Sequence, residues 1–271
     1  MKQYTTKDFT LSIFYSDDKS FFITSTLIEK DGKAFLINAG FTQTMAQEIV
    51  TYLKDKNLDL EKIYLLHGDP DYYFGLEIIK QAFPAVTAYA TQETFDHITH
   101  TVGKKLAVWS PQLGEQAPTN VVLPKVLAGQ HIDFAGLTFE LVGDDSHRTN
   151  LYQADNALLL GGIDTFNDGI HVFLADTATP EKMQSWIKRL DSLAGLNIDL
   201  LIPSHAHPEG HHNKDSLIAT ERYLVNSLET LKTAKDSATF MEKMSTSYPD
   251  YANQGVLGLS AKVVTGEMPW G

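Results

Sequence analysis

The order of strand-like and helix-like segments predicts an α/β fold, of the α+β type, in which two β-rich halves carry helices on their outer sides. Alternating and β-branched runs dominate the beginning of the chain, from Phe9 to Tyr15 and from Phe21 to Glu29. Strand–helix alternation follows, and a second group of strands from His131 onwards leads into further alternation. This order alone does not distinguish a two-sheet sandwich from other α/β folds.

The first half has clear local signals. Asp31-Gly32 is a hairpin turn signal before a strand from Ala34 to Asn38. Thr42 can cap a helix from Met45 to Asp55, whose apolar residues recur at intervals of four. The apolar run from Ile63 to Leu66 is typical of a buried strand. Also predicted are a helix over Tyr73–Ala82, a strand over Ala85–Tyr89, a helix over Glu93–Val102 and a long loop over Ala107–Lys125 with an exposed Trp109.

The second half contains four predicted strands and one long helix before the tail. The strands are His131–Phe134, Leu137–Val142, Leu158–Leu160 and Ile198–Ile202, and the helix is Pro180–Leu193. A tail with two helical stretches begins at about residue 214. Because no linker rich in Pro, Gly or Ser divides the chain, we expect residues 1–271 to form a single domain with a helical C-terminal extension.

Composition limits the partners and the chemistry. The formal net charge is −12 and the basic residues are scattered, which argues against nucleic acid and favours a small-molecule substrate. No apolar run approaches the roughly 20 residues of a membrane span, and the N-terminus has no apolar signal-peptide core. The chain has no cysteine, so any metal would need histidine and oxygen ligands. We therefore expect a cytoplasmic protein; the oligomeric state is left open.

Polar side chains follow several of the apolar strands. His67, Asp144, Asp164 and His205 each come directly after such a run. Strand ends that share an edge are where sheets of this class place their ligands. The sequence therefore predicts a polar site at one edge of the sheets.

The order of these residues resembles the metallo-β-lactamase-fold hydrolases. That family carries a His-x-His-x-Asp-His motif after a buried strand, then a Gly-His, an Asp and a His near a proline. His67, Asp71, Asp164 and His205 match this pattern, and Phe74-Gly75-Leu76 is similar to one branch of the family. The resemblance runs nearly end to end and implies an αββα sandwich of two mixed sheets with outer helices.

Three positions depart from the family pattern. Asp69 stands at the second histidine, Tyr72 at the third, and Asp144 at the Gly-His position. The resemblance implies two ligand sets bridged by Asp164: His67, Asp69 and Asp144 for one ion, and Asp71, Tyr72 and His205 for the other.

The altered donor set changes the expected metal chemistry. Replacing imidazole by carboxylate makes the set harder and more anionic, which favours manganese or magnesium over zinc. A tyrosine, with a pKa near 10, is a poor ligand unless a metal deprotonates it. The expectation is one or two divalent ions, such as zinc, manganese or iron, with a single ion or a weakened pair favoured.

Several of these residues have other interpretations. Asp69 before Pro70 could cap a helix, and Tyr72 could be a wall residue or hydrogen-bond donor. Asp144, Asp145 or His147 could fill the third ligand position, or their loop could be a solvated turn, and His171 could line the cleft.

Two functions follow from the sequence. The resemblance implies a metal-dependent hydrolase of a small-molecule ester, lactone, thioester or amide, with a metal-bound water as nucleophile and Asp71 orienting it. The three substituted positions favour the alternative, a non-catalytic descendant that binds a small molecule or a partner.

Overall fold

The computed structural model describes residues 1–270, in which two mixed β-sheets face each other. The seven strands of the first sheet, in spatial order, are β1 (Lys2–Thr5), β2 (Thr10–Tyr15), β3 (Thr24–Lys30), β4 (Lys33–Ile37), β5 (Asp59–Tyr64), β6 (Thr87–Ala90) and β7 (Lys125–Val126). Strands β1 to β4 pair antiparallel, whereas β4 to β7 pair parallel. The carboxyl ends of β4, β5 and β6 therefore meet at one edge.

The second sheet has five strands. They are β8 (His131–Phe134), β9 (Leu137–Val142), β10 (Asn150–Gln153), β11 (Leu158–Leu160) and β12 (Leu200–Ile202), in the spatial order β12-β11-β10-β9-β8. Only β11 and β12 pair parallel. Since β9 and β11 both pair antiparallel with β10, the ends of β9, β11 and β12 share an edge.

Aromatic side chains join the sheets face to face. The ring of Phe35 on β4 lies 5.7 Å from that of Phe134 on β8 and 5.5 Å from that of Phe139 on β9. All three side chains are buried in one continuous hydrophobic cluster. The predicted fold class, a sandwich of two mixed sheets with helices, is confirmed.

Eight helices are present in residues 1–270: α1 (Gln43–Asp55), α2 (Pro70–Tyr73), α3 (Leu76–Ala82), α4 (Gln92–Leu113), α5 (Pro180–Ala194), α6 (Asp215–Leu231), α7 (Ser237–Ser247) and α8 (Gln254–Val264). The hydroxyl of Thr42 caps α1 by accepting from the amide of Met45 at 3.2 Å, and Pro180 lies in the first turn of α5. Within the described part of the chain, none of the helices combines the length and apolarity that crossing a membrane requires.

Four details of the predicted elements were wrong. The loop predicted from Ala107 begins as helix, because α4 continues to Leu113 despite Pro111. Trp109 is half-buried, since its ring contacts Phe21 at 5.3 Å and Phe41 at 5.5 Å. The helix predicted over Tyr73–Ala82 is divided into α2 and α3, and the tail has three helices rather than two.

The break between α2 and α3 lies at a close backbone approach. The amide of Gly75 donates to the carbonyl of Gly40 at 3.0 Å, and a Cβ at residue 75 would lie 2.1 Å from the carbonyl oxygen of Ala39. Only glycine lets the loop after β4 and the start of α3 pack this closely.

We expect Gly75→Ala to lower the free energy of unfolding by about 1–3 kcal/mol or more, because the contacting atom is backbone and cannot turn aside. Gly103 on α4 is the matched control: a Cβ there meets nothing within 4 Å. Gly103→Ala should raise the free energy of unfolding by about 0.5–1 kcal/mol, because alanine has a higher helix propensity than glycine. Urea unfolding of both variants measures this, and equal shifts in the two would contradict the steric argument.

Candidate functional site

The two sheets meet at the edge where the sequence analysis placed a polar site. The amide of Thr24 at the start of β3 donates to the carbonyl of Ser204 at 2.7 Å, and residue 205 pairs with both Ile23 and Phe166. His205 therefore lies at the junction of the sheets. We call the following residues at this edge the strand-end site: His67, Asp69, Asp71, Tyr72, Asp164 and His205.

The loop that carries His67 is fixed by Asn38. The backbone of Asn38 has a φ of 59°, a left-handed conformation that asparagine adopts more readily than most residues. The backbone amide of Asn38 donates to the carbonyl of Tyr64 at 2.9 Å, and its side-chain Oδ1 accepts from the backbone amide of Leu66 at 3.1 Å. Asn38 thus links the end of β4 to the chain leaving β5.

Asp69 lies among basic groups rather than capping a helix. Although it precedes α2, its side chain accepts no capping hydrogen bond. Its carboxylate contacts Lys105 Nζ, and lies 3.5 Å from His97 Nε2 and 3.2 Å from His67 Nδ1. Burial by itself would raise the pKa of Asp69, but these neighbours outweigh it and hold the pKa well below its usual range. The 3.2 Å contact lacks hydrogen-bond geometry, so His67 Nδ1 is buried without a partner.

Asp71, Tyr72 and His205 form the buried centre of the site. Nδ1 of His205 donates to the carbonyl of Phe21 at 2.9 Å, because a carbonyl can only accept. Nε2 therefore accepts from the hydroxyl of Tyr72 at 3.3 Å, and it lies 3.6 Å from Asp71 Oδ2. Burial lowers the pKa of His205 to about 4, while burial and the Asp69 carboxylate raise the pKa of Asp71 well above its ordinary value.

Asp164 is held by two arginines. Arg148 Nη1 donates to its Oδ1 at 2.6 Å, and Arg189 donates through Nε to Oδ2 at 2.5 Å and through Nη2 to Oδ1 at 3.2 Å. The Asp164 residue is 1% exposed, and both guanidinium groups are largely buried. The indole of Trp186 donates to its backbone carbonyl at 2.9 Å. Both carboxylate oxygens are therefore occupied by the chain's own cations.

These donors do not fit a bridged pair of metal ions. Asp164, the predicted bridge, would have to release two guanidinium groups, and Asp69 would have to release Lys105. Tyr72 lies between the two histidines, with ring centroids 5.4 Å from His67 and 5.9 Å from His205. Burial raises the pKa of Tyr72 well above 10, which keeps the phenol protonated and a poor ligand. Among residues 1–270, no group of three or more His, Asp or Glu side chains is arranged to hold a metal ion.

The loop after β9 brings Arg148 to the site in place of a third ligand. Asp144 and His147 are exposed, and Asp145 Oδ1 accepts from the amide of His147 at 3.0 Å within the turn. None of these three side chains contacts His67 or Asp69 in the described structure, because the turn directs Arg148 inward to Asp164.

His171 lies away from the strand-end site, among the C-terminal helices. Its side chain is buried, its Nε2 accepts from the Gln254 amide at 3.2 Å, and its Nδ1 therefore donates to the Tyr223 hydroxyl at 2.9 Å. The structure gives it a role in attaching α8 to α6 and no position on the wall of the site.

Four residues of this edge were missed by the sequence analysis: His97, Lys105, Arg148 and Arg189. A signal existed for Lys105, which is eight residues after His97 and so lies on the same face of a helix that continues past Val102. Its ammonium group is 3.1 Å from His97 Nε2. No local pattern marks the two arginines.

Comparison with known proteins gives one family and one fold. A model of the metallo-β-lactamase superfamily matches residues 19–205. No curated protein matches the chain. A β-lactamase domain protein from Burkholderia ambifaria is similar in structure, with a TM-score of 0.66 and 14% identity over 97% of this chain and 86% of that one. A metallo-β-lactamase from Pontibacter korlensis is also similar, with a TM-score of 0.59 and 16% identity over 83% of this chain and 99% of that one. At these identities the structures support the fold alone.

We expect Asp164→Asn to lower the free energy of unfolding by about 3–5 kcal/mol, because it leaves two largely buried guanidinium groups without their anion. Asp168→Asn is the control, since Asp168 pairs with an exposed His211. This substitution should lower the free energy of unfolding by at most about 1 kcal/mol. Chemical denaturation distinguishes them. Similar losses in the two variants would mean that the arginine pairs contribute little.

Burial lowers the pKa of His171 to about 4 in the folded chain, whereas its ordinary value is near 6.5. Between pH 6.5 and 4 the unfolded chain therefore takes up a proton that the folded chain excludes. Its contribution to stability is therefore present above pH 6.5 and is lost as the pH falls towards 4. When the pH is lowered from 7 to 4.5, the free energy of unfolding of the wild type, measured by chemical denaturation, should fall by on the order of 2 kcal/mol more than that of His171→Gln. The exposed His131→Gln variant should follow the wild type; parallel curves for all three proteins would refute the assignment.

Proposed function

Because this chain belongs to the metallo-β-lactamase superfamily, we propose that it is a descendant that binds a small molecule and has replaced the resident metal centre with its own basic side chains. One observation carries the proposal. The carboxylate at the family's bridging position, Asp164, is already neutralised by Arg148 and Arg189. Superfamily members typically bind divalent metals, so this is a change in the chemistry of the site.

The energetics support this assignment. Charge-assisted hydrogen bonds to a carboxylate are among the stronger polar contacts in proteins, and a metal ion would have to displace three of them at Asp164. It would also leave two guanidinium groups next to a divalent cation. Two effects therefore disfavour a bridging ion: the loss of hydrogen bonds to Asp164 and the repulsion between the ion and the guanidinium groups.

The second candidate is the metal-dependent hydrolase of a small ester, lactone, thioester or amide, with Asp71 orienting the nucleophile. It is favoured by the retention of His67, Asp71, Asp164 and His205 at four family ligand positions. His205 is also kept neutral by burial, which is the form of imidazole that binds metals. This function requires Asp164 to exchange its arginines for a metal.

Metal analysis distinguishes the two candidates. The chain is purified without a His-tag or chelator, incubated with zinc, manganese and iron in turn, and desalted. We expect the wild type to retain no stoichiometric ion and its melting temperature to be unchanged by EDTA. One tightly held ion per chain that is lost in His205→Ala would contradict the proposal and favour the hydrolase.

The arginines are tested directly by the Arg148→Met, Arg189→Met double variant. Removing both guanidinium groups leaves Asp164 as an uncompensated buried anion, so a divalent cation should raise the melting temperature of this variant and not that of the wild type. Lys188→Met is the control, because Lys188 precedes Arg189 on α5 but is exposed. A cation that stabilises the wild type as much as the double variant would show that the arginines do not replace it.

A further inference from the structure

Asp71 differs from the other two carboxylates of the strand-end site because it has no partner. Its side chain is 9% exposed, and no other residue in the described part of the chain donates a hydrogen bond to it. The nearest basic atom, Nε2 of His205, is 3.6 Å away, and it accepts from Tyr72 and so has no proton to donate. A buried carboxyl group without a donor is unfavourable, so its presence at the edge of the sheets indicates a ligand that supplies one.

The charges around Asp71 favour a cation as that ligand. Asp69, Lys105 and Asp176 are the charged residues that act on it most strongly, and Lys105 is already paired with Asp69. The two arginines of this edge are likewise paired with Asp164. An anionic ligand would therefore be repelled by the remaining carboxylates, whereas a cation would be attracted to them and to a chain with a net charge of −12.

A row of aromatic rings borders this centre. The ring centroid of Phe21 lies 5.3 Å from that of Trp109 and 6.4 Å from that of Phe173, and the ring of Trp270 lies 5.7 Å from that of Phe173. We call these four residues the aromatic row. The first three are half-buried and Trp270 is exposed, so each side chain has surface that a ligand can contact.

Phe21 joins the aromatic row to the buried centre. Its carbonyl accepts from Nδ1 of His205 at 2.9 Å, and Nε2 of the same imidazole is 3.6 Å from Asp71. Phe21 and Phe22 both have a positive φ, 59° and 56°, which is a strained backbone conformation for a bulky residue. This turn directs the Phe21 carbonyl to His205 while the Phe21 ring contacts the rest of the aromatic row.

Both ends of the aromatic row are also attached to this edge of the sheets. Trp109 follows Lys105 by one turn on the same face of α4, and Lys105 reaches the strand-end site. At the other end, the indole of Trp270 donates to Oδ1 of Asp176 at 2.6 Å, and the charge of Asp176 acts on Asp71. The aromatic rings and the unpartnered carboxyl group are therefore neighbours.

We propose that the strand-end site binds a small arylalkyl amine, with its ammonium group on Asp71 and its ring against the aromatic row. An ammonium group provides a buried carboxylate with both a countercharge and hydrogen bonds. The rings of the aromatic row provide apolar surface for a flat group, and their faces attract a cation. This inference rests on the proposed binding function and names the class of the ligand.

Phenethylamine is the probe, because it joins one ammonium group to one aromatic ring. The chain has three tryptophans, whose indole N–H resonances report the position of the ligand in NMR titrations of the full chain. The resonances of Trp109 and Trp270 should shift and saturate. Trp186 is the internal reference and should shift less, since its buried indole donates to the backbone carbonyl of Asp164.

Three analogues separate the contribution of the charge from that of the ring. Phenethyl alcohol has the ring without the charge, butylamine has the charge without the ring, and hydrocinnamate has the ring with the opposite charge. We expect phenethyl alcohol and butylamine to bind about tenfold more weakly than phenethylamine, and hydrocinnamate to give no saturable shift.

Side-chain variants assign the two parts of the ligand. Asp71→Asn should weaken phenethylamine binding about tenfold or more and leave phenethyl alcohol binding unchanged, whereas Asp191→Asn, at an exposed position on α5, should bind as the wild type does. Phe21→Leu should weaken the binding of both aromatic ligands and leave butylamine unaffected. Phe83→Leu is its control, because Phe83 is also half-buried but lies at the end of α3, outside the aromatic row.

Stability tests the premise that the carboxyl group has no partner. Asp71→Asn should unfold at the same or a higher temperature than the wild type, because a neutral amide is less unfavourable to bury than a carboxyl group without a donor. The opposite result is expected for Asp164→Asn, whose carboxylate is paired with two arginines. An Asp71→Asn variant that is clearly less stable would show that Asp71 already has a partner and would overturn the inference.

The binding results separate this inference from the proposed function. Absence of saturable shifts with phenethylamine, equal binding of phenethyl alcohol or butylamine, or preference for hydrocinnamate would each overturn it. A stoichiometric metal ion in the wild type would refute the proposed function. A metal-free, EDTA-insensitive protein that binds no phenethylamine would refute only the assignment of the ligand.

Discussion

The charge balance at Asp164 is the constraint on which this edge of the sandwich depends. The Asp164 side chain is 2% exposed, and a carboxylate buried to this extent is strongly unfavourable unless cations and hydrogen-bond donors compensate it. Arg148 comes from the loop after β9 and Arg189 from α5, so one buried anion fixes the relative positions of a loop, a strand end and a helix. Trp186, which donates to the Asp164 carbonyl, adds a second contact from the same helix.

The same principle operates across the edge. Asp69 is balanced by Lys105 from α4, and His205 is satisfied on both ring nitrogens by the Phe21 carbonyl and the Tyr72 hydroxyl. Asp164, Asp69 and His205 are thus each matched by groups from a different element, whereas Nδ1 of His67 is buried without a partner. The superfamily's sandwich is kept, while the positive charge next to its carboxylates comes from side chains. The fold alone does not specify the chemistry of its site.

Much of the fold could be predicted because its signals are local. Alternation in β2, the cap at Thr42 and the proline at the start of α5 each depend on a few neighbouring residues. The prediction was wrong where a distant contact outweighs a local signal. Pro111 favoured a loop, but Trp109 packs on Phe21 and Phe41, and these contacts keep α4 helical to Leu113.

Strand periodicity and chain order indicate where each apolar run ends, and therefore which residues come to the edge of the sheets. His67, Asp144, Asp164 and His205 could be placed in this way, and Asp71 was placed by its match to the family motif. What these residues contact depends on how the sheets and helices pack in three dimensions. Arg148 and Arg189 are 16 and 25 residues from Asp164 along the chain, and no pattern in the sequence relates them to it. Ion pairing depends on distance in space, which is set when the sheets and α5 pack together.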